Sequence, residues 1–493
     1  MATSAGIVRG FDSLGLRHWR GIPYAAAPTG DRRFRAPQPP EQWDGVRDAT
    51  RFGAIPHQVR VIPGASQNRV PQSEDCLSIN VIAPMEAADA PRPVMVFIYG
   101  GAYTAGSSRE IPHLGEALVR EGDVVFVNFN YRLGAFGYLD FSRYGFEGNL
   151  GLRDQVAALE WVRDNIRFFG GDPDNVTVFG ESAGGNAITT MLTVPAARGL
   201  FARAIVESAS PEAVYPSSLT SEWAGDYVRI LREVTKDETT DEASLLREAA
   251  PASLVRAASL MRQRTPDAVP GTIAFCPVID GDYLPERPVD AAAAGRSHPV
   301  PVIIGTNARE GTLFRGPLDL LATTRPRIRA VFGKTEREAR ARLYEQYRAL
   351  PRRRSASQFG GDYTFWYPSI RFAEAHATHA PVRFYRFDLS TRVLDYAGLE
   401  ATHGIELFAV FDLANTPVGR VAGMLGGRTA FKGAAKRMRA RWLGFARDGS
   451  AGDEWEPYSA DHRATLIIDE HDRIELDPHR NRRIAWQAFV PHL

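Results

Sequence analysis

The chain has 493 residues, 44% of them hydrophobic and 24% charged, with 59 Lys plus Arg against 58 Asp plus Glu and a formal net charge of +1. This composition provides a sizeable core, rules out general disorder, and leaves no long-range field to draw in nucleic acid or an anionic membrane. No run approaches the ~20 apolar residues of a transmembrane helix, the first residues lack the basic and apolar regions of a secretory signal, and Cys76 and Cys276 are too few and too far apart for a disulfide framework or a CxxC metal site. A soluble protein of the reducing cytoplasm, acting on small and weakly charged partners, is the expectation.

In chain order, the apolar runs at 77–83 (LSINVIA), 94–99 (VMVFIY) and 124–131 (VVFVNFNY) read as buried strands. Residues 154–168 follow, with Val156, Leu159, Val162 and Ile166 at spacings of three and four, which predicts an amphipathic helix. A Gly-Gly-Asp-Pro turn, the strand VTVFG and a helix from about Ala183 come next. Strand and helix in alternation predict an α/β fold with a mostly parallel sheet. Further strands are expected at 204–207, 301–305, near Tyr385 and near Thr465, with Arg-rich helices within 335–354 and 432–447. The runs AAAAGRSH and PRRRS read as solvated helix ends or loops, and no internal repeat is visible.

Gly180-Glu181-Ser182-Ala183-Gly184 is a GxSxG motif between a strand and a helix. A serine on so sharp a turn has a strained backbone that small neighbours relieve, and the helix behind it aims N–H groups and a positive dipole end at the hydroxyl. Ser182 is thereby the candidate nucleophile. A serine also needs a base, and the base an orienting acid, which in this fold follow in the order Ser, acid, His. Of eleven histidines, His403 lies after Ser182 in a glycine-bearing loop, Ala401-Thr402-His403-Gly404-Ile405-Glu406. His376 and His379, on an expected helix, and His462, His471, His479 and His492, in polar terminal sequence, read as surface residues.

The run FGGDPDNVTVFGESAGG from Phe169 resembles the serine signature of type-B carboxylesterases, and Glu74-Asp75-Cys76-Leu77 with Ile79-Asn80-Val81 resembles a second signature of that family, with Ser78 where an aromatic or threonine is usual. Segments near the start (RGIPYAAAPTGDRRFRAPQPP) and from Gly148 (GNLGLRDQVAALEWVRDNI) are similar as well. The likeness runs from Gly6 to about Tyr458 and is closest in character to bacterial para-nitrobenzyl-esterase-like enzymes. It implies one α/β-hydrolase domain over 1–493 with long insertions forming a gorge, and ester hydrolysis through an acyl-enzyme on small to medium esters. By the same resemblance the acid is Glu310, in Gly305-Thr306-Asn307-Ala308-Arg309-Glu310-Gly311, and His403 is the base. Glu406, three residues past His403, is the competing carboxylate.

Tyr99-Gly100-Gly101-Ala102-Tyr103 resembles the HGGG-type loop, which makes Gly101, Ala102 and Ala183 the implied oxyanion N–H donors. Tyr99 replaces the histidine of many esterases and Ala102 the third glycine. The family's loop of this kind implies room for bulky alcohols, and Phe314, Phe359, Phe365 and Trp366 are candidate gorge aromatics. No metal or cofactor is called for. Cys76 reads as a buried free thiol, because no upstream cysteine exists to pair with it. The residues from His57 to Glu74 carry no aromatic where cholinesterases hold their choline-binding tryptophan, which argues against that subgroup. Amidase, carbamate hydrolase and lipase share the same triad and stay open, as does, more remotely, a non-catalytic binding protein. Oligomeric state is left at monomer or weak dimer.

Overall fold

The computed structural model describes residues 1–59, 70–110, 113–333 and 335–489. At its centre is an eleven-stranded sheet. In chain order the strands are β1 (Phe11–Ser13), β2 (Leu16–Pro23), β3 (Ser78–Pro84), β4 (Arg92–Ile98), β5 (Val125–Phe129), β6 (Gly171–Glu181), β7 (Arg203–Glu207), β8 (Val302–Asn307), β9 (Val382–Phe387), β10 (Ala464–Ile468) and β11 (Arg473–Leu476). In space they run β11-β10-β9-β8-β7-β6-β4-β5-β3-β2-β1. The stretch from β10 to β5 is parallel throughout, and antiparallel strands finish both edges.

Strands covered on both faces lose the polar alternation of a half-exposed strand. Accordingly Val94 to Ile98, Val125 to Val127 and Ala204 to Val206 are all buried. Five helices bear on the site: α1 (Leu150–Asn165), α2 (Ala183–Met191), α3 (Arg353–Gly361), α4 (Tyr367–His376) and α5 (Arg428–Asp448). A five-residue π-helical segment, Asp362–Trp366, joins α3 to α4.

The expected strands and helices are present, with differences of local cause. The Gly-Gly-Asp-Pro turn is not a separate turn: Gly171 pairs with Arg92 and begins β6, and a shift in register between Arg92 and Val94 absorbs the extra residues. The stretch 335–354 holds Arg337–Gln346 and only the start of α3. His376 is not a surface residue. It is fully buried at the end of α4, where it bonds to Ser297 and the Val300 carbonyl. Cys76 and Cys276 are buried free thiols. Among the described residues no helix is long and apolar enough to cross a membrane. His492 lies outside the described residues, as do residues 60–69 of the aromatic-free segment.

Candidate active site

In an open parallel sheet, groups at the carboxyl ends of adjacent strands converge where helices turn away, and functional sites gather there. Here β4 ends at Ile98 before the glycine loop, β6 at Glu181 before Ser182, β7 at Glu207 before Ser208, and β8 at Asn307 before Glu310. Ser182 has φ 59° and ψ −120°, a conformation that costs on the order of 1–3 kcal/mol for a non-glycine residue. It is held there by its N–H, which donates to the Glu207 carbonyl at 2.9 Å, and by its own carbonyl, which accepts from Asn186 N at 2.8 Å. A Cβ at Gly184 would overlap the Ile98 carbonyl oxygen, and one at Gly180 would lie 2.5 Å from it. The motif's two glycines are therefore demanded by the close approach of β4.

His403 and Glu310 are both buried, and His403 Nδ1 lies 2.5 Å from Glu310 Oε2. The acid and histidine loops are tied together: Arg309 N donates to the Ala401 carbonyl at 2.9 Å, Thr312 Oγ1 bonds to Thr402 Oγ1 at 2.8 Å, and Arg309 pairs with Glu400 at 2.9 Å. Glu310 Oε1 accepts from Asn307 N at 2.6 Å and Ser208 Oγ at 2.7 Å. The competing carboxylate, Glu406, does not reach His403. It bonds to Ser208 Oγ at 2.5 Å and to Asn307 Nδ2.

Ser208 has one hydroxyl proton for two carboxyl partners, so one of those two contacts requires a carboxyl proton. Glu310 meets the Asn307 N–H and the imidazole, while Glu406 is fully buried and meets Ser208 and Asn307 Nδ2. Burial, then the neighbouring Glu310 charge, push the Glu406 carboxyl up.

The other imidazole nitrogen, His403 Nε2, is buried and makes no hydrogen bond, and it stands 3.1 Å from Glu181 Oε1. The structure thus brings Glu181, the residue before the serine, against the imidazole, and Ser182 Oγ is not hydrogen-bonded to it. Burial, then Glu406 and Glu310, raise the Glu181 carboxyl, while His403 opposes them. Burial lowers the affinity of His403 for its proton, but Glu181 and Glu310 outweigh it and the net shift is upward.

In the glycine loop Gly101, Ala102 and Tyr103 all have positive φ, at 110°, 52° and 55°. This left-handed run turns the Gly101 carbonyl back to accept from Thr104 N and Ala105 N at 3.0 and 3.1 Å, and among the described residues the N–H groups of Gly101, Ala102 and Ala183 donate to no protein acceptor. Tyr99 points away into the core, stacked on Tyr131. Tyr103 extends behind α2, where its hydroxyl bonds to Asn186 Oδ1 at 2.5 Å.

Of the four candidate aromatics, two meet the imidazole. Phe365 and Phe314 have ring centroids 4.4 and 5.2 Å from that of His403, and they stack on each other. Phe359 and Trp366 do not join them. Phe359 is fully buried among Phe332, Tyr347 and Trp486, and Trp366 faces Arg482 and His479. Phe365 and Trp366, adjacent in the π-helical segment between α3 and α4, face different neighbours. A small cavity of about 30 Å³, lined by His57, Thr104, Leu133, Phe136 and Leu254 among others, lies two residues beyond Ala102. Another of about 40 Å³ lies between Ser210 and Tyr363. Glu181, Ser208 and Asn307 were not singled out from the sequence; Glu181 and Asn307 sit inside the two motifs, and Ser208 follows a strand next to the nucleophile's own.

The strand order and this convergence of strand ends define the class, an α/β-hydrolase fold. The carboxylesterase family model matches residues 1–486, and the chain belongs to that family. It is 37% identical to the para-nitrobenzyl esterase of Bacillus subtilis (strain 168) over 98% of this chain and 97% of the relative. It is 31% identical to the phenmedipham hydrolase of Pseudarthrobacter oxydans over 99% and 98%. A solved thermophilic PNB esterase superposes with a TM-score of 0.88 at 36% identity, covering 98% of this chain and 99% of the other. The protein is a carboxylic-ester hydrolase.

Proposed function

We propose that Ser182, His403 and Glu310 form the catalytic triad of this esterase, with Gly101, Ala102 and Ala183 as its oxyanion hole. His403 takes the Ser182 proton as the hydroxyl attacks the ester carbonyl, and Glu310 holds the ring and stabilises the imidazolium that forms. The three free N–H groups receive the oxyanion, His403 protonates the departing alcohol, and water activated by the same imidazole releases the acid. The observation that carries this reading is the buried His403–Glu310 contact of 2.5 Å beside a serine held at φ 59°.

Substrates are small to medium esters with an apolar part against Phe314 and Phe365, the two rings that meet the imidazole. The para-nitrobenzyl esterase likeness favours aryl-containing esters of this kind. We further propose that residues 1–493 form one domain, that the enzyme is bacterial and cytoplasmic, that it acts without nucleic acid or membrane, and that it is a monomer or weak dimer.

The test is hydrolysis of p-nitrophenyl esters from acetate to palmitate by wild type and Ser182→Ala, with mass spectrometry after an organophosphate. Turnover of short esters, an adduct on Ser182, and loss of both in the variant are expected. A folded wild type that neither hydrolyses nor labels would overturn the triad assignment.

A further inference from the structure

Four strand-end positions stand in one row across the parallel sheet: Glu181 on β6 pairs with Glu207 on β7, Glu207 with Gly305 on β8, and Gly305 with Tyr385 on β9. Side chains at paired positions of a parallel sheet share a face. A Cβ at Gly305 would overlap the Tyr385 ring. The missing side chain thus lets that ring lie across the row toward Glu207.

Glu207 is fully buried. Its Oε1 accepts from Trp442 Nε1 on α5 at 2.8 Å, while its Oε2 is buried with no partner, as is the Tyr385 hydroxyl. The groups facing it are Glu181 on β6, Glu406 in the helix Glu406–Val410, Tyr385 on β9 and Trp442 on α5. None is a cation. Arg439, one turn before Trp442, is committed to Glu121 at 2.7 Å and the Ala409 carbonyl at 2.8 Å. A buried carboxylate with one hydrogen bond, two carboxyl neighbours and no counter-ion is far costlier than the neutral acid. Burial and the two neighbouring glutamates raise its proton affinity in the same sense. The backbone of the same residue holds the nucleophile, through the bond from Ser182 N to the Glu207 carbonyl.

We propose that Glu207 is a positioning residue that works as a neutral carboxylic acid. It ties the strand end that holds Ser182 to helix α5 while adding no charge behind the His403–Glu310 pair, and its ionisation at alkaline pH disables the enzyme. The proposal rests on the triad reading. An ionised Glu207 has no counter-ion in its dry pocket, so its charge draws in water and displaces the strand end whose carbonyl holds Ser182 N.

The experiment is the pH profile of kcat/KM for wild type, Glu207→Gln, Glu207→Leu and Trp442→Phe, with organophosphate labelling of Ser182 in each. Glu207→Leu, which removes the Trp442 acceptor, is expected to lower kcat about tenfold with KM within twofold. Glu207→Gln, neutral and of the same shape, is expected to restore kcat and to lack the alkaline fall of wild type. Trp442→Phe removes a donor that favours the ionised form, so its alkaline limb moves to higher pH. The infrared difference between wild type and Glu207→Gln at neutral pH is expected to contain a protonated-carboxyl carbonyl band. Carboxylate bands in its place, a Glu207→Gln profile that superimposes on wild type, or an unmoved limb in Trp442→Phe overturns the proposal. A wild type that fails to label at Ser182 overturns the triad reading instead.

Discussion

At the scale of single residues, two glutamates compete to orient His403, and their contacts predict opposite outcomes. Glu310 meets the imidazole at 2.5 Å, so Glu310→Gln is expected to lower kcat about 10⁴-fold, as loss of a triad acid does elsewhere. Burial, then the Glu310 charge, raise the Glu406 carboxyl, and a glutamine in its place can still accept from Asn307 and donate to Ser208. Glu406→Gln is expected to cost less than tenfold in the same assay. Equal losses from the two variants would mean that both carboxylates serve the imidazole. The charge beside Nε2 makes a separate prediction. Glu181 and Glu310 raise the proton affinity of His403 above the ordinary histidine value of about 6.5, so activity should rise with pH through a limb above that value. Glu181→Gln removes a charge that favours imidazolium and should move the limb to lower pH, as measured by kcat/KM across the range. Ser182 was picked out by a motif whose spacing has a chemical cause, and the proposed His403 and Glu310 by their likeness to the family's loops; the structure brings His403 and Glu310 into contact. Glu181, although printed within GESAG, was not read as a contact of the imidazole, because only the fold brings residues 181 and 403 to within 3.1 Å.

Elements rather than residues decide where the site can tolerate change. The elbow depends on β6 and α2 approaching β4 so closely that the Gly184 position has no room for a methyl group against the Ile98 carbonyl. Gly184→Ala should therefore destabilise by about 3 kcal/mol, read as a lower urea midpoint. Gly333→Ala, at the end of an exposed helix turn with nothing within 4 Å of the new carbon, should be neutral or slightly stabilising. Similar losses at both positions would show that the close approach is not what fixes the elbow glycine. The apolar central strands were readable for the same packing reason, since β4, β5 and β7 are buried on both faces and nothing polar interrupts them. The edges were not. In β2, next to the edge, Arg17 and Arg20 flank His18 and Trp19, and in the edge strand β11 Arg473 and Glu475 alternate with Ile474, so these outer strands carried the mixed pattern of a loop. Phe359 and Phe365, six residues apart, fall on different faces of a helix, and the sequence did not say which face meets the imidazole.

Over the whole molecule, the sheet uses strands from Phe11 to Leu476, and its spatial order interleaves early and late parts of the chain. Strand β6, with the serine, is flanked by β4 from the first quarter and β7 from the middle, while the acid comes from the end of β8 and the histidine from the loop paired with it. Most of the buried apolar residues form one cluster that reaches from Val8 to Phe489. On the proposed single-domain reading, the proposed triad of residues 182, 310 and 403 has no smaller unit on which to survive. Thermal unfolding should accordingly give one calorimetric endotherm, with loss of esterase activity at the same temperature. An organophosphate adduct on Ser182 should not divide it into two. A first transition that leaves activity intact would show that part of the chain folds as a separate domain, and the single-domain proposal for 1–493 would then fail.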